Sequence, residues 1–86
     1  LKCEWCHARE AKEKHHCLIG RDIHNPELDD PHNIGDVCRE CHRQWIGTGG
    51  RLVKESWWKI KCEQYGEAEM QEWYSGLSLK VKERYW

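Results

Sequence analysis

Cys38-Arg39-Glu40-Cys41-His42 decides how this chain folds, because it repeats, after 31 intervening residues, the spacing of Cys3-Glu4-Trp5-Cys6. Each Cys-x-x-Cys pair makes a tight turn that offers two sulfurs to one side. Two such turns supply the four thiolates of a tetrahedral structural zinc site. Cys3, Cys6, Cys38 and Cys41 are therefore expected to share one Zn2+. Redox pairs or disulfides are the other use of such cysteines, but a duplicated pair with no secretory signal fits metal better. The separation is longer than in a simple zinc ribbon, so something useful is expected between the knuckles. Cys17 and Cys62 stand at unrelated spacings and read as buried free thiols.

Composition explains why such a knot is needed. In 86 residues only 38% are apolar, Phe is absent, and six Trp and three Tyr supply most of the large side-chain area. A single core of that size leaves little spare stability, so a staple is expected. A net charge of −1 gives no global case for binding a polyanion. The charge is uneven, however. Residues 38–61 carry Arg39, Arg43, Arg51, Lys54, Lys59 and Lys61 against Glu40 and Glu55, whereas residues 22–36 carry five acids and no Lys or Arg. No apolar run approaches the roughly 18 residues of a membrane span, and no signal-like stretch follows Leu1, so an intracellular chain without a membrane partner is expected. Its opening on a residue other than Met suggests a piece of something longer.

Between the knuckles, His15-His16-Cys17-Leu18-Ile19 reads as extended and ends at Gly20. Residues 22–33 are loop by composition, with two Pro and several Asx residues. Ile34 to Val37 reads as a second short strand. His42 to Ile46 then continues from the second knuckle as a short helix, which stops at the glycine-rich residues 47–50. Val53, Trp57, Ile60 and Gln64 fall at helical spacing, with Gly66 as the C-terminal cap. Residues 67–75 suit another helix ending at Gly76, and residues 77–86 suit either strand or frayed helix. Trp57, Trp58, Trp73, Tyr74 and Trp86 are expected to complete the core or form a partner surface.

The order Cys-x-x-Cys, His15-His16, loop, Pro31-His32-Asn33, Cys-x-x-Cys-His42 resembles the HNH endonucleases, in the subgroup tied by a four-cysteine zinc. The resemblance covers residues 3 to 46. It implies an α+β chain with a small ββα-metal (His-Me finger) core over residues 1–50, and a helical extension over 51–86 packed on it as one domain overall. It also implies roles: His15 and His42 as ligands of a catalytic Mg2+ or Mn2+, His16 as general base, and Asn33 as the residue that orients the base loop. Phosphodiester hydrolysis needs these parts on its own account: a base for the attacking water, a cation for the charge that builds on oxygen, and rigid placement of both. Adjacent residues of a strand point to opposite faces, so His15 and His16 can divide the first two tasks.

The activity implied is metal-dependent DNA hydrolysis leaving 5′-phosphate and 3′-hydroxyl ends, by nicking or double-strand cutting, in the cytoplasm of a bacterial or phage-infected cell. A homodimer or a larger nuclease or phage assembly fits the same reading. A histidine base must be neutral, so activity is expected to rise from mildly acidic to alkaline pH. Two departures matter. Cys17 stands where many members carry an aliphatic residue, and the chain is near-neutral where many are strongly basic, so intrinsic DNA affinity is expected to be weak. Arg39, Arg43 and Arg51 are the candidate backbone contacts. His7, His24 and His32 have no matching role and read as exposed or locally bonded, with His32 close enough to Asn33 to touch phosphate. The competing reading is a zinc-knuckle module that binds nucleic acid or protein without catalysis, which would have no need of His15, His16, Asn33 and His42 together.

Overall fold

The computed structural model describes residues 1–20, 24–46 and 50–78. Two strands, β1 (Glu13–His16) and β2 (Ile34–Val37), pair antiparallel with Glu13 opposite Val37, Lys14 opposite Asp36, His15 opposite Gly35 and His16 opposite Ile34. Four-residue strands are too short to stand alone as a hairpin. The first knuckle supplies the missing support. Glu4 N donates to Asp36 O at 2.8 Å and Lys12 N to Val37 O at 2.9 Å, so residues flanking Cys3 and Cys6 lean on β2.

β2 runs straight into the second knuckle. Helix α1 (Arg39–Cys41) is capped by Cys38, whose sulfur accepts from Cys41 N at 3.4 Å, and it passes into a π-helical turn over His42–Ile46. The helix thus begins three residues earlier than the sequence reading, inside the knuckle itself. β1, β2 and α1 with its continuation form the ββα core. Two further helices follow, α2 (Arg51–Tyr65) and α3 (Glu67–Ser75). They meet at Gly66, whose φ of 91° is the conformation that favours glycine, and whose N–H caps Cys62 O at 2.8 Å. Residues 79–86, including Trp86, lie outside the described residues, as do residues 47–49 of the glycine-rich stretch.

One buried cluster joins all of this: Cys3, Cys17, Cys38 and Cys41, with Leu18, Ile19, Leu28, Val37 and Ile46, Trp57 and Met70 from the helices, and Leu77 just after α3. Trp58, Trp73 and Tyr74 pack half-buried against it. Among the described residues no helix is long and apolar enough to cross a membrane. Trp57 is the centrepiece, fully buried, with its ring 5.5 Å from Trp5 and 6.0 Å from His15. Its indole Nε1 has no hydrogen-bond partner among the described residues, an omission that costs roughly 1–3 kcal/mol and is outweighed by the area the ring buries.

The ring lies against Gly35. A Cβ at that position would sit 2.6 and 2.8 Å from Trp57 Cη2 and Cζ3. Gly35→Ala is therefore expected to push Trp57 aside, costing roughly 1–3 kcal/mol by overpacking. In a domain this size the melting temperature should fall by roughly 5 °C or more, read by thermal denaturation followed by circular dichroism. An unchanged melting temperature would mean that the tryptophan has room to move.

The basic segment needs one correction. Lys61, counted with the surface cations, is 2% exposed, and its Nζ donates to Ile34 O at 2.6 Å, Glu4 Oε1 at 3.1 Å and Gln64 Oε1 at 3.2 Å. It clamps α2 to β2 and to the first knuckle. A buried lysine is tolerated only when paired and hydrogen-bonded, and Glu4 supplies the opposite charge. Lys61 is thus unavailable to a polyanion.

Candidate functional site

The sulfurs of Cys3, Cys6, Cys38 and Cys41 all lie within 4.8 Å of one another, and no disulfide joins them. A tetrahedral ion with Zn–S bonds of about 2.3 Å holds its sulfurs about 3.8 Å apart. Cys6 Sγ lies 3.9 Å from Cys38 Sγ, so the donor set fits such an ion with little adjustment. The local chemistry agrees. The Ala8 and Arg9 backbone amides bring the Cys6 thiol down to about 6, whereas burial beside the other sulfurs pushes the Cys41 thiol up. A divalent cation resolves that conflict by stabilising all four as thiolates. His7, directly after the first knuckle, has a φ of 58°, so the turn that presents Cys6 is held in a left-handed conformation by a residue other than glycine.

The histidine cluster is built on β1. Because side chains alternate along a strand, Glu13 and His15 share one face and His16 takes the other. His15 is opposite Gly35, so its ring lies beside Trp57, and the start of the π-helical turn brings His42 to it: the two rings are 5.0 Å apart, edge to face at 62°. Burial, and to a smaller extent the neighbouring His42 and His16, push His15 down to about 4, so its ring is neutral. His42 Nδ1 lies 2.9 Å from Glu13 Oε1. An ionised carboxylate only accepts, so Nδ1 carries a proton toward Glu13. His42, followed by Arg39 and Arg43, holds the Glu13 carboxyl below its ordinary range. A pair of imidazoles, one steered by a carboxylate, is a usual way to hold a metal ion. Among the described residues the four cysteines are the one group of three or more His, Cys, Asp or Glu donors that converges; His15 and His42 are neighbouring rings outside any such group.

On the opposite face, His16 Nε2 lies 2.7 Å from Asp29 Oδ1. Asp29 ends a 3-10 turn, Pro26–Asp29, and Asn33 pins that turn in place. Fully buried, Asn33 accepts at Oδ1 from Leu18 N (3.0 Å) and Ile19 N (2.9 Å), and donates from Nδ2 to Ile19 O (2.9 Å) and Leu28 O (2.8 Å). All four polar contacts are local to the loop between the strands. Cys17 lies beside it, its thiol directed to Asn33 O at 3.3 Å and pushed up to about 12 by burial. Cys62 is free as well, but half-buried rather than buried.

Arg39 and Arg43 are exposed on the helical turn beside Glu13, and Arg39 Nε lies 3.9 Å from Glu13 Oε2. Arg51 is exposed at the start of α2 and pairs with Glu55 at 3.2 Å, so it belongs to a different element. His32 departs from the sequence reading. Its Nε2 lies 2.7 Å from Glu69 Oε2 on α3, its Nδ1 bonds Asp30, and its ring stacks on Trp73 at 5.9 Å. Held between two carboxylates, it ties the loop to α3 and is a poor phosphate contact. Burial alone would lower its pKa, but the Glu69 and Asp30 carboxylates more than offset this and raise it. A raised folded-state pKa means stability that is fully present below the unfolded value of about 6.5 and is lost as pH rises through the folded one. Denaturant titrations between pH 6 and 9 should show the wild type losing more stability than His32→Gln. Parallel curves for the two proteins would remove this linkage.

Fold and site together define a class: a small α+β fold with a ββα core and a four-cysteine cluster able to chelate a metal, consistent with the broader His-Me finger fold. Within that class no particular family is singled out. No protein-family model matches the chain, no curated protein matches it, and no solved structure matches it.

Proposed function

We propose that this chain is a metal-dependent DNA endonuclease that hydrolyses phosphodiester bonds, with His16 as general base and a divalent cation on His15 and His42. The observation that carries the reading is the pairing of His15 with His42 across the ββα core while His16, next in sequence, faces the loop that Asn33 clamps. A binding module has no use for that division of labour. When bound, Mg2+ or Mn2+ would neutralise charge building on the phosphoryl and leaving oxygens. With two imidazoles as protein ligands, the remaining positions suit water and phosphate oxygens.

The residues divide the rest of the work. His16 takes the proton of the attacking water. Glu13 fixes the His42 tautomer, which leaves Nε2 as the donor toward the cation. Arg39 and Arg43, exposed on the same helical turn, would meet the DNA backbone, and Arg51 would extend that contact only if the duplex reaches α2. A structural zinc on Cys3, Cys6, Cys38 and Cys41 sets the geometry, because Cys41 is bonded directly to His42.

Supercoiled plasmid incubated with zinc-loaded protein and Mg2+ or Mn2+ tests this, with EDTA as control. Conversion to open circle before linear identifies nicking. Plasmid unchanged with both metals would overturn the enzyme reading in favour of a zinc-knuckle binding module. The burial of Lys61 and the net charge of −1 favour the protein-binding form of that alternative, since they leave few cations for DNA.

A further inference from the structure

The proposed general base has a partner that the HNH-like motif does not contain. Asp29 lies in the acidic loop between the strands, a segment that offers nothing to DNA by its charge, yet its Oδ1 sits 2.7 Å from His16 Nε2. Resting on the endonuclease reading above, we propose that Asp29 is a positioning residue that holds His16 as the Nε2–H tautomer and leaves Nδ1 as the atom that accepts the proton of water.

The chemistry follows from what each group can do. An ionised carboxylate has no proton to give, so a bond of this length to a neutral imidazole requires the hydrogen on Nε2. The neutral ring then carries its lone pair on Nδ1, which has no hydrogen-bond partner among the described residues. The ring is also held in orientation, because a 2.7 Å charge-assisted bond tolerates little rotation about the His16 side chain. As the proton leaves water for Nδ1, the ring becomes imidazolium with hydrogen on both nitrogens, and Asp29 faces the positive charge directly. No proton needs to pass to the carboxylate.

The placement of Asp29 is supported from within the fold. Leu28, its neighbour, is fully buried, and Leu28 O accepts from Asn33 Nδ2 at 2.8 Å. Asn33 in turn grips Leu18 and Ile19, just beyond His16 on the same segment. One buried side chain thus ties together the turn that carries Asp29 and the segment that carries His16. Asn33 is then the support through which the carboxylate reaches the base, and the acidic loop acquires a task. Asp29 itself is 66% exposed at the side chain, so its removal is expected to open no core cavity.

The test reads the tautomer directly. In zinc-loaded full-length protein without Mg2+ or Mn2+, long-range proton–nitrogen correlation spectra at about pH 8, above the ordinary histidine range, assign the His16 ring nitrogens. The wild type is expected to show Nε2 protonated, Asp29→Ala a mixture of both tautomers, and Asp29→Glu a return toward Nε2–H. In plasmid nicking, Asp29→Ala should lower kcat roughly tenfold with KM little changed, and Asp29→Glu should recover part of the loss. A melting temperature within a few degrees of wild type shows that Asp29→Ala is folded. His16 found as the Nδ1–H tautomer in the wild type, or an unchanged tautomer in Asp29→Ala, overturns the proposal. Wild-type protein that leaves plasmid uncut while its His16 tautomer follows residue 29 overturns the endonuclease reading and supports the contact, so the two failures are distinguishable.

Discussion

Stripping the metal from the four-cysteine cluster, or replacing Cys38 by Ser, is expected to unfold the whole chain rather than fray one end of it. The knuckles are not appended to a core that could survive without them. Cys3, Cys38 and Cys41 are themselves among the buried residues, and the two strands are four residues each. β2 is supported on one side by β1 and on the other by the first knuckle, through Glu4 N to Asp36 O. Helix α1 starts on the sulfur of Cys38. The magnitudes point one way: a structural zinc supplies about 10–16 kcal/mol in small peptides at neutral pH, whereas a domain has roughly 5–15 kcal/mol in total. Far-UV circular dichroism and tryptophan fluorescence, followed during titration with a strong chelator, should lose signal together, with one zinc released per chain. Retention of native signal after complete metal removal would show that the apolar cluster suffices alone.

The same coupling decides what such variants can say about catalysis. Because Cys41 precedes His42 and β2 runs directly into Cys38, loss of the cluster's metal would remove the His15–His42 pair along with the fold. Activity lost in a cysteine variant is therefore uninformative about chemistry. Variants on the exposed side of β1 are the informative ones.

How much of this was legible in the sequence depended on the range of the interaction. The cysteine spacing revealed the knot, because a Cys-x-x-Cys turn is local and its duplication has few other uses. β2 was legible as the short apolar run before the second knuckle, and the ends of α2 and α3 were legible because Gly66 and Gly76 end helices through their own backbone. What escaped depended on register. Gly35 reads as an ordinary strand glycine until β1 pairs with β2 and Trp57 arrives 22 residues later. Lys61 reads as surface charge until α2 docks and Glu4, 57 residues away, closes on it. Glu13 with His42, Asp29 with His16 and His32 with Glu69 are likewise contacts between distant residues. In each a charged side chain looked solvated because its partner was not nearby in sequence.

His16→Ala is the second large effect, and it separates chemistry from folding. His16 ends β1 on the face away from Trp57, is partly buried, and its ring hydrogen-bonds Asp29. It is not a member of the buried core cluster, so the melting temperature should fall by only a few degrees. Removal of a general base typically costs about 10²–10⁴ in rate, and the conversion of supercoiled to open-circle plasmid should slow by that factor. DNA affinity should be unchanged, because the positive groups proposed to meet the backbone, Arg39 and Arg43, lie on another element. His15→Ala should behave differently. Its ring packs 6.0 Å from Trp57 and 5.0 Å from His42, so its loss should lower both stability and the response to added Mn2+. A His16→Ala protein that nicks at the wild-type rate would take the base away from this position, whereas equal losses of stability in the two variants would mean that β1 is being read through its packing and not its chemistry.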